Sequence, residues 1–249
     1  MEDKNQNQEN EDRINQILIP KSDIKSFNIF YDACKSTCKI ITSSGIGSGF
    51  FINLEKNNSS FYCLMTNEHV IGKKMIDSKE DIEILYENQH KKININLGDK
   101  KRFIKDYKYL KIDVTVVEIL PQDDIKNDYF LLPNLDYINS YEQFINKNIY
   151  IPQFPKGGIL TYSKGKIIEI NSFSYEICHT SSTEKGSSGS PILLEGTTLV
   201  LGIHKQGNKK KIKNFGNFIG PIIDSLKNNC IYEKKNITMV YMKDNILMN

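Results

Sequence analysis

Gly186-Ser187-Ser188-Gly189-Ser190-Pro191 separates two apolar runs, Tyr175-Glu176-Ile177-Cys178 and Pro191-Ile192-Leu193-Leu194. A serine at the tip of a glycine-flanked turn projects its hydroxyl outward. The glycines let the backbone bend until successive N–H groups converge on one point. That is the geometry acyl transfer needs: an exposed oxygen nucleophile beside donors for the developing oxyanion. A plain Ser/Gly surface turn would read the same way. The hexapeptide alone leaves both readings open.

A serine hydroxyl is a poor nucleophile near neutral pH, so it needs a base, and the base needs an orienting group. The chain has four histidines: His69, His90, His179 and His204. His69 closes the β-prone run Phe61-Tyr62-Cys63-Leu64-Met65-Thr66-Asn67-Glu68 and precedes Val70-Ile71-Gly72. Asp113 stands directly before the β-branched run Val114-Thr115-Val116-Val117. Such neighbours imply a partly buried carboxylate, which requires a partner. The chain order is histidine, aspartate, serine.

The pieces Gly47-Ser48-Gly49-Phe50-Phe51-Ile52, Thr66-Asn67-Glu68-His69-Val70, Asp113-Val114-Thr115-Val116, Gly186-Ser187-Ser188-Gly189-Ser190-Pro191 and Leu201-Gly202-Ile203-His204 occur in that order. In this the chain resembles the trypsin-like serine endopeptidases of the chymotrypsin fold, over residues 36 to 229. The combination Gly-x-Ser-Gly-Ser-Pro with a downstream Gly-Ile-His is most similar to the glutamyl endopeptidase and exfoliative toxin branch. The resemblance implies an all-β fold of two packed antiparallel six-stranded β-barrels with a C-terminal helix. It implies Ser188 as nucleophile, His69 as base and then acid, and Asp113 as the group that fixes the imidazole tautomer. It also implies the N–H groups of Gly186 and Ser188 as oxyanion donors. The expected partner is a peptide or protein substrate, with no cofactor and no metal.

The same resemblance puts Thr183 at the base of the primary specificity pocket and His204 on its wall. In the glutamyl-specific branch a hydroxyl residue and a histidine at these places bind the carboxylate of the residue before the scissile bond (P1). The competing reading of His204 is a histidine that fills a strand end. His179 is taken as structural, since triad partners are adjacent in space rather than in sequence. His90, between Gln89 and Lys91, is taken as a solvated surface group. The α/β-hydrolase alternative fails, because its elbow needs a glycine where Ser190 stands and its partners follow the serine. The alternative function is a trypsin-fold binding or scaffold protein without turnover.

Length agrees with two small barrels rather than one typical domain. A net charge of +3 gives no global argument for nucleic acid. The run Lys209-Lys210-Lys211-Ile212-Lys213 reads as a solvated loop, with steering of acidic substrates as the sharper alternative. Five scattered cysteines do not make a disulfide framework. Cys34 and Cys38 are a metal half-site at most, with no second Cys/His pair of ligand spacing. The N-terminus is polar and lacks the apolar core of a secretory signal, and no run approaches a membrane span. The expected location is cytoplasmic, with no membrane partner.

Residues 1–20 read as a disordered polar tail. The N-terminal barrel is expected over 21–135, the C-terminal barrel and helix over 136–230, and a C-terminal extension over 231–249. A lead-in helix is expected over 22–34. Strands follow at 37–42, 46–53, 61–66, 82–87, 92–97, 103–108 and 114–120. A connection at 121–147 leads to strands at 148–153, 160–170, 174–179, 190–194, 198–204 and 215–219. Pro221 marks a helix start, and 236–242 is apolar enough for an extra strand.

Overall fold

The structure is a computed structural model and describes residues 27–208 and 213–227. The expected tail at 1–20, the start of the lead-in helix, Cys230, the extra strand at 236–242 and most of the basic run at 209–213 lie outside the described residues. Among those described, no helix is long and apolar enough to cross a membrane.

Helix α1 (Phe27–Ser36) leads into the first sheet. Its strands are β1 (Thr37–Thr42), β2 (Gly45–Lys56), β3 (Ser59–Thr66), β4 (Asp81–Tyr86), β5 (Lys91–Asn96), β6 (Ile104–Asp106) and β7 (Thr115–Glu118), with the short helix α2 (Lys73–Asp77) between β3 and β4. The order across the sheet is β5-β4-β1-β2-β3-β7-β6. The second sheet holds β8 (Leu132–Pro133), β9 (Asn148–Gln153), β10 (Thr161–Asn171), β11 (Glu176–His179), β12 (Pro191–Leu194), β13 (Leu199–Asn208) and β14 (Lys213–Phe218). Here β12 pairs with both β9 and β13, so the ring β12-β9-β10-β11-β14-β13 closes into a six-stranded barrel. Helix α3 (Gly220–Lys227) follows, with Pro221 in its first turn.

The two-barrel fold expected from the resemblance is therefore present, with differences of detail: the first sheet has seven strands, and the second carries the short parallel strand β8 beside its ring of six. The N-terminal sheet curls into a half-barrel, and no ladder joins β5 to β6. With three residues, β6 offers little backbone for that ladder. Side chains bridge the gap instead, because Ile95 of β5 and Ile104 of β6 pack into one apolar cluster with Ile82, Ile84 and Phe51.

Alternation along a strand explains how the two sheets meet. On β2, Phe50, Ile52 and Leu54 face a core shared with Ile151, Ile203 and Phe218 of the second barrel, while Phe51 faces the interior of the first. On β3, Met65 joins the shared core and Leu64 the inner one; on β7, Val116 and Val117 divide the same way. Strands buried on both faces read as unbroken apolar runs, as Gly49-Phe50-Phe51-Ile52 does. The connection after β7 crosses between the sheets. Leu131 exchanges backbone hydrogen bonds with Phe51 and Asn53, and Leu132–Pro133 then lies parallel to Leu199–Val200.

Candidate active site

His69 sits in the turn between β3 and α2. The turn is held by Val70 and Ile71 N–H groups donating to the Asn67 carbonyl, both at 3.1 Å, and by the burial of Val70 and Ile71. Asp113 enters β7 between the buried residues Ile112 and Val114. Two bonds lock these segments together: Asn67 Nδ2 donates to the Asp113 carbonyl at 2.7 Å, and Thr115 Oγ1 to the Ile71 carbonyl at 2.8 Å. The result is a two-point contact. His69 Nδ1 stands 2.6 Å from Asp113 Oδ2, and the His69 backbone N–H donates to Asp113 Oδ1 at 3.0 Å. The Asp113 side chain is 16% exposed and the His69 ring 46%. Burial pushes the Asp113 carboxyl upward. The His69 hydrogen bonds and the positive charges of His69 and Lys205 outweigh it, and the group settles below its usual range.

Ser188 lies on the loop between β11 and β12. Gly186 (φ +95) and Gly189 (φ +93) both occupy the left-handed region that favours glycine. A Cβ on Gly189 would stand 2.0 Å from the Ser48 carbonyl oxygen. That close approach allows the Ser48 N–H to donate to the Ser188 carbonyl at 2.8 Å. Ser48 Oγ donates to the Gly186 carbonyl, also at 2.8 Å, and Thr66 Oγ1 donates to the Ser48 carbonyl at 2.7 Å. Strands of the half-barrel thus pin a loop of the closed barrel.

On that loop the Lys185 carbonyl accepts from the Lys156 N–H, so the opposite end of the same peptide, the Gly186 N–H, turns away from it. The N–H groups of Gly186 and Ser188 have no hydrogen-bond partner among the described residues. Ser188 Oγ donates to the Lys205 carbonyl at 3.0 Å rather than to His69. His69, Asp113 and Ser188 line one cleft of about 420 Å³ between the two sheets.

His204 stands directly behind the loop. Its N–H donates to the Ser190 carbonyl at 2.8 Å, and its carbonyl accepts from the Gly189 N–H at 2.9 Å. Its ring is buried, and Nδ1 lies 3.2 Å from His179 Nε2. Burial lowers His179 to about 4; burial and the neighbouring His179 and His69 hold His204 well below the usual imidazole value. Thr183 Oγ1 faces Gly207, 3.7 Å from where a Cβ there would sit.

The sequence-predicted residues are brought together unevenly. His69 touches Asp113, Ser188 shares their cleft, and His204 reaches the Ser188 loop through its backbone. His179, read as structural, is the surprise, because it packs on His204. Ser48 and Lys205 were missed as loop partners. Ser48 carried a signal, being a hydroxyl between two glycines just before an apolar run.

A closed barrel and a half-barrel with serine, histidine and aspartate in the groove between them define the class of the chymotrypsin fold. The family model of the trypsin-like peptidase domain matches residues 47–203, and the chain belongs to that family. Solved structures agree in fold. The serine endoprotease from Yersinia pestis superposes with a TM-score of 0.59 at 16% identity, over 83% of this chain and 65% of that one. This chain therefore spans just under two thirds of the length of that protein. Deg5 gives 0.57 at 16% identity, over 83% of this chain and 94% of that one. An inactive form of Rv3671c from M. tuberculosis H37Rv gives 0.54 at 16% identity, over 82% and 93%. No curated protein sequence matches the chain.

Proposed function

We propose that the chain is a serine endopeptidase in which Ser188 attacks the scissile carbonyl, His69 takes and returns the proton, and Asp113 holds the imidazole. The observation that carries this reading is the 2.6 Å contact of His69 Nδ1 with Asp113 Oδ2, at the wall of the cleft that Ser188 lines. With Nδ1–H committed to the carboxylate, Nε2 is the ring atom free to accept a proton. The ionised Asp113 then stabilises the imidazolium. The tetrahedral oxyanion falls to the N–H groups of Gly186 and Ser188. Collapse breaks the C–N bond, His69 protonates the leaving amine, and water hydrolyses the acyl-enzyme by the reverse proton path.

Attack requires Ser188 Oγ to leave the Lys205 carbonyl. A substrate supplies the reason. Beyond His204, β13 pairs with β14 along one edge only, and its other edge borders the cleft. An extended peptide adding along that edge donates a backbone N–H to the Lys205 carbonyl and releases the serine hydroxyl toward His69. The acyl side of the substrate lies on this edge. Its P1 side chain points to Thr183 and His204, where donors offset the desolvation of a carboxylate, so acidic P1 residues are preferred.

The second reading, a silent peptide-binding member of the fold, is favoured by the Ser188–Lys205 hydrogen bond. A fluorophosphonate probe decides between them: the wild type labels and Ser188→Ala does not. Absence of labelling in the wild type would leave the binding reading. A reducing compartment is part of the proposal, since Cys34, Cys38, Cys63 and Cys178 are all free thiols. Burial raises Cys34 to about 12 and lifts Cys38 and Cys63 further. Thiol titration of unfolded, unreduced protein is expected to count all five cysteines; three or fewer would point to an oxidising compartment.

A further inference from the structure

We infer that Lys111 selects an acidic side chain at the residue preceding P1 (P2), an inference that rests on the endopeptidase reading of the same cleft. Side chains of an extended peptide alternate in direction. A P1 side chain directed to Thr183 and His204 sends P2 to the opposite face, toward His69. The cleft that His69 lines is bordered also by the segment just ahead of Asp113, with Lys108 and Lys111, and by Lys205.

The acids around this place are committed. Asp113 is held by His69, Glu68 takes Lys108 at 3.2 Å, and Glu176 lies 3.7 Å from Lys205. Lys111 has no ionic or hydrogen-bonded side-chain partner among the described residues. It is exposed, and it adopts φ 63, a left-handed conformation uncommon for a long side chain. The backbone there is locked on both sides. The Lys111 N–H donates to the Lys108 carbonyl at 2.8 Å, Tyr107 and Ile112 are fully buried, and the Asp113 N–H donates to Asn217 Oδ1 at 3.3 Å. A lone cation on a fixed turn beside the P2 path loses little freedom when it pairs with a carboxylate. Lys205, already shared with Glu176 and close to Asp113, reinforces the field without choosing the position.

The test is a peptide series with fixed P1 and P1′ residues and Glu, Gln or Lys at P2, with the same three residues placed in turn at P3 and P4. kcat/KM is read on wild type and Lys111→Glu, and Kd by fluorescence anisotropy on the Ser188→Ala form of each. At low salt, Glu at P2 is expected to exceed Gln by about two- to fivefold, as befits one solvent-exposed pair. The ratio of Glu to Lys should change by about tenfold or more between wild type and Lys111→Glu, and shrink at about 0.5 M salt. Equal cleavage of the Glu and Gln peptides, a charge preference confined to P3 or P4, or a P2 preference untouched by Lys111→Glu overturns the inference. Cleavage without any P2 effect would leave the endopeptidase standing and Lys111 refuted. Absence of cleavage, with Ser188→Ala binding that follows P2 charge and inverts in the doubly substituted form, would do the opposite.

Discussion

His179 Nε2 and His204 Nδ1 lie 3.2 Å apart inside the C-terminal barrel, on the two strands that flank β14. One ring must donate to the other, and both are buried. If His179 Nε2 carries the proton, His204 is fixed with its proton on Nε2. His179 Nδ1, which is buried without a hydrogen-bond partner, is then left as an unpaired acceptor rather than an unpaired donor. The pair therefore orients a histidine whose backbone holds the Ser188 loop from behind.

This pair should make folding stability pH-dependent. Unfolded, each ring takes up a proton near its usual value of about 6.5. Folded, burial keeps His179 neutral down to about 4, and burial with its neighbours keeps His204 neutral well below the usual value. Between these limits the unfolded chain binds more protons, so acid favours unfolding. The stabilisation is complete above about pH 6.5 and declines as pH falls toward 4, by at most about 1.4 kcal/mol per pH unit for each histidine. Urea midpoints at pH 7, 6 and 5 should fall steadily for wild type and less steeply for His179→Gln. Parallel lines for the two would refute the buried neutral pair.

Ser188→Ala, His69→Ala and Asp113→Asn are each expected to lower kcat by about 10⁴-fold, and the double variants by little more, because the three act as one unit. Asp113→Asn keeps the shape but exchanges an acceptor oxygen for a donor amide opposite a ring that is bonded at 2.6 Å. Fold stability should change little for Ser188→Ala, whose hydroxyl makes one hydrogen bond to a carbonyl. Activity that survives Ser188→Ala and is lost in Ser187→Ala would mean that the neighbouring serine is the nucleophile. The burial of Ser187 argues against that result.

Much of this arrangement was legible because it rests on local chemistry. The sequence marks Gly186 and Gly189 as bending residues, and both hold positive φ. Strands β1 and β9 fall where short β-prone segments between polar turns put them, residue for residue. The β-branched neighbours of Asp113 alone imply partial burial, and its side chain is 16% exposed. What was not legible depends on contacts distant in sequence. Leu132–Pro133 becomes a parallel strand through pairing with Leu199–Val200, a role that two residues ending in proline do not announce. The half-barrel's open edge reflects a three-residue β6 where a strand of six was expected. His179 meets His204 across a strand, 25 residues further along the chain, and no local pattern encodes that.

Ser48 offers a test of how the Ser188 loop is held. Its hydroxyl is buried, donates to the Gly186 carbonyl at 2.8 Å and accepts from the Phe154 N–H at 3.3 Å. Ser48→Ala leaves both groups unpaired in the interior, which costs about 1–3 kcal/mol of stability. It also loosens the Gly186–Ser187 peptide, which adjoins both proposed N–H donors, so kcat should fall by about tenfold or more, with KM changed less. Denaturant midpoints and single-substrate kinetics measured together check both parts. Gly189→Ala should be worse on both counts, because its new Cβ would meet the Ser48 carbonyl at 2.0 Å. An Ala variant at Gly189 with wild-type stability would refute the close approach of the two loops.

Cleavage after acidic residues, glutamate above aspartate, is the expectation at P1. A buried carboxylate needs donors to offset its desolvation, and Thr183 and His204 are the candidates. A pocket for basic residues would instead need an acid at its base, where this chain has Thr183; Glu184 is one place out of register and pairs with Lys156 at 3.2 Å. Peptides identical except for Glu, Gln, Lys or Phe at P1 separate the possibilities, because Gln matches Glu in shape without its charge. A Glu preference of only a few-fold in kcat/KM would sink the idea. His204→Ala should then depress cleavage after Glu far more than after Gln. His179→Leu should do so more weakly, since it disturbs the His204 ring without removing it. Equal losses on both substrates would mean that the histidines support the pocket's shape without reading the carboxylate.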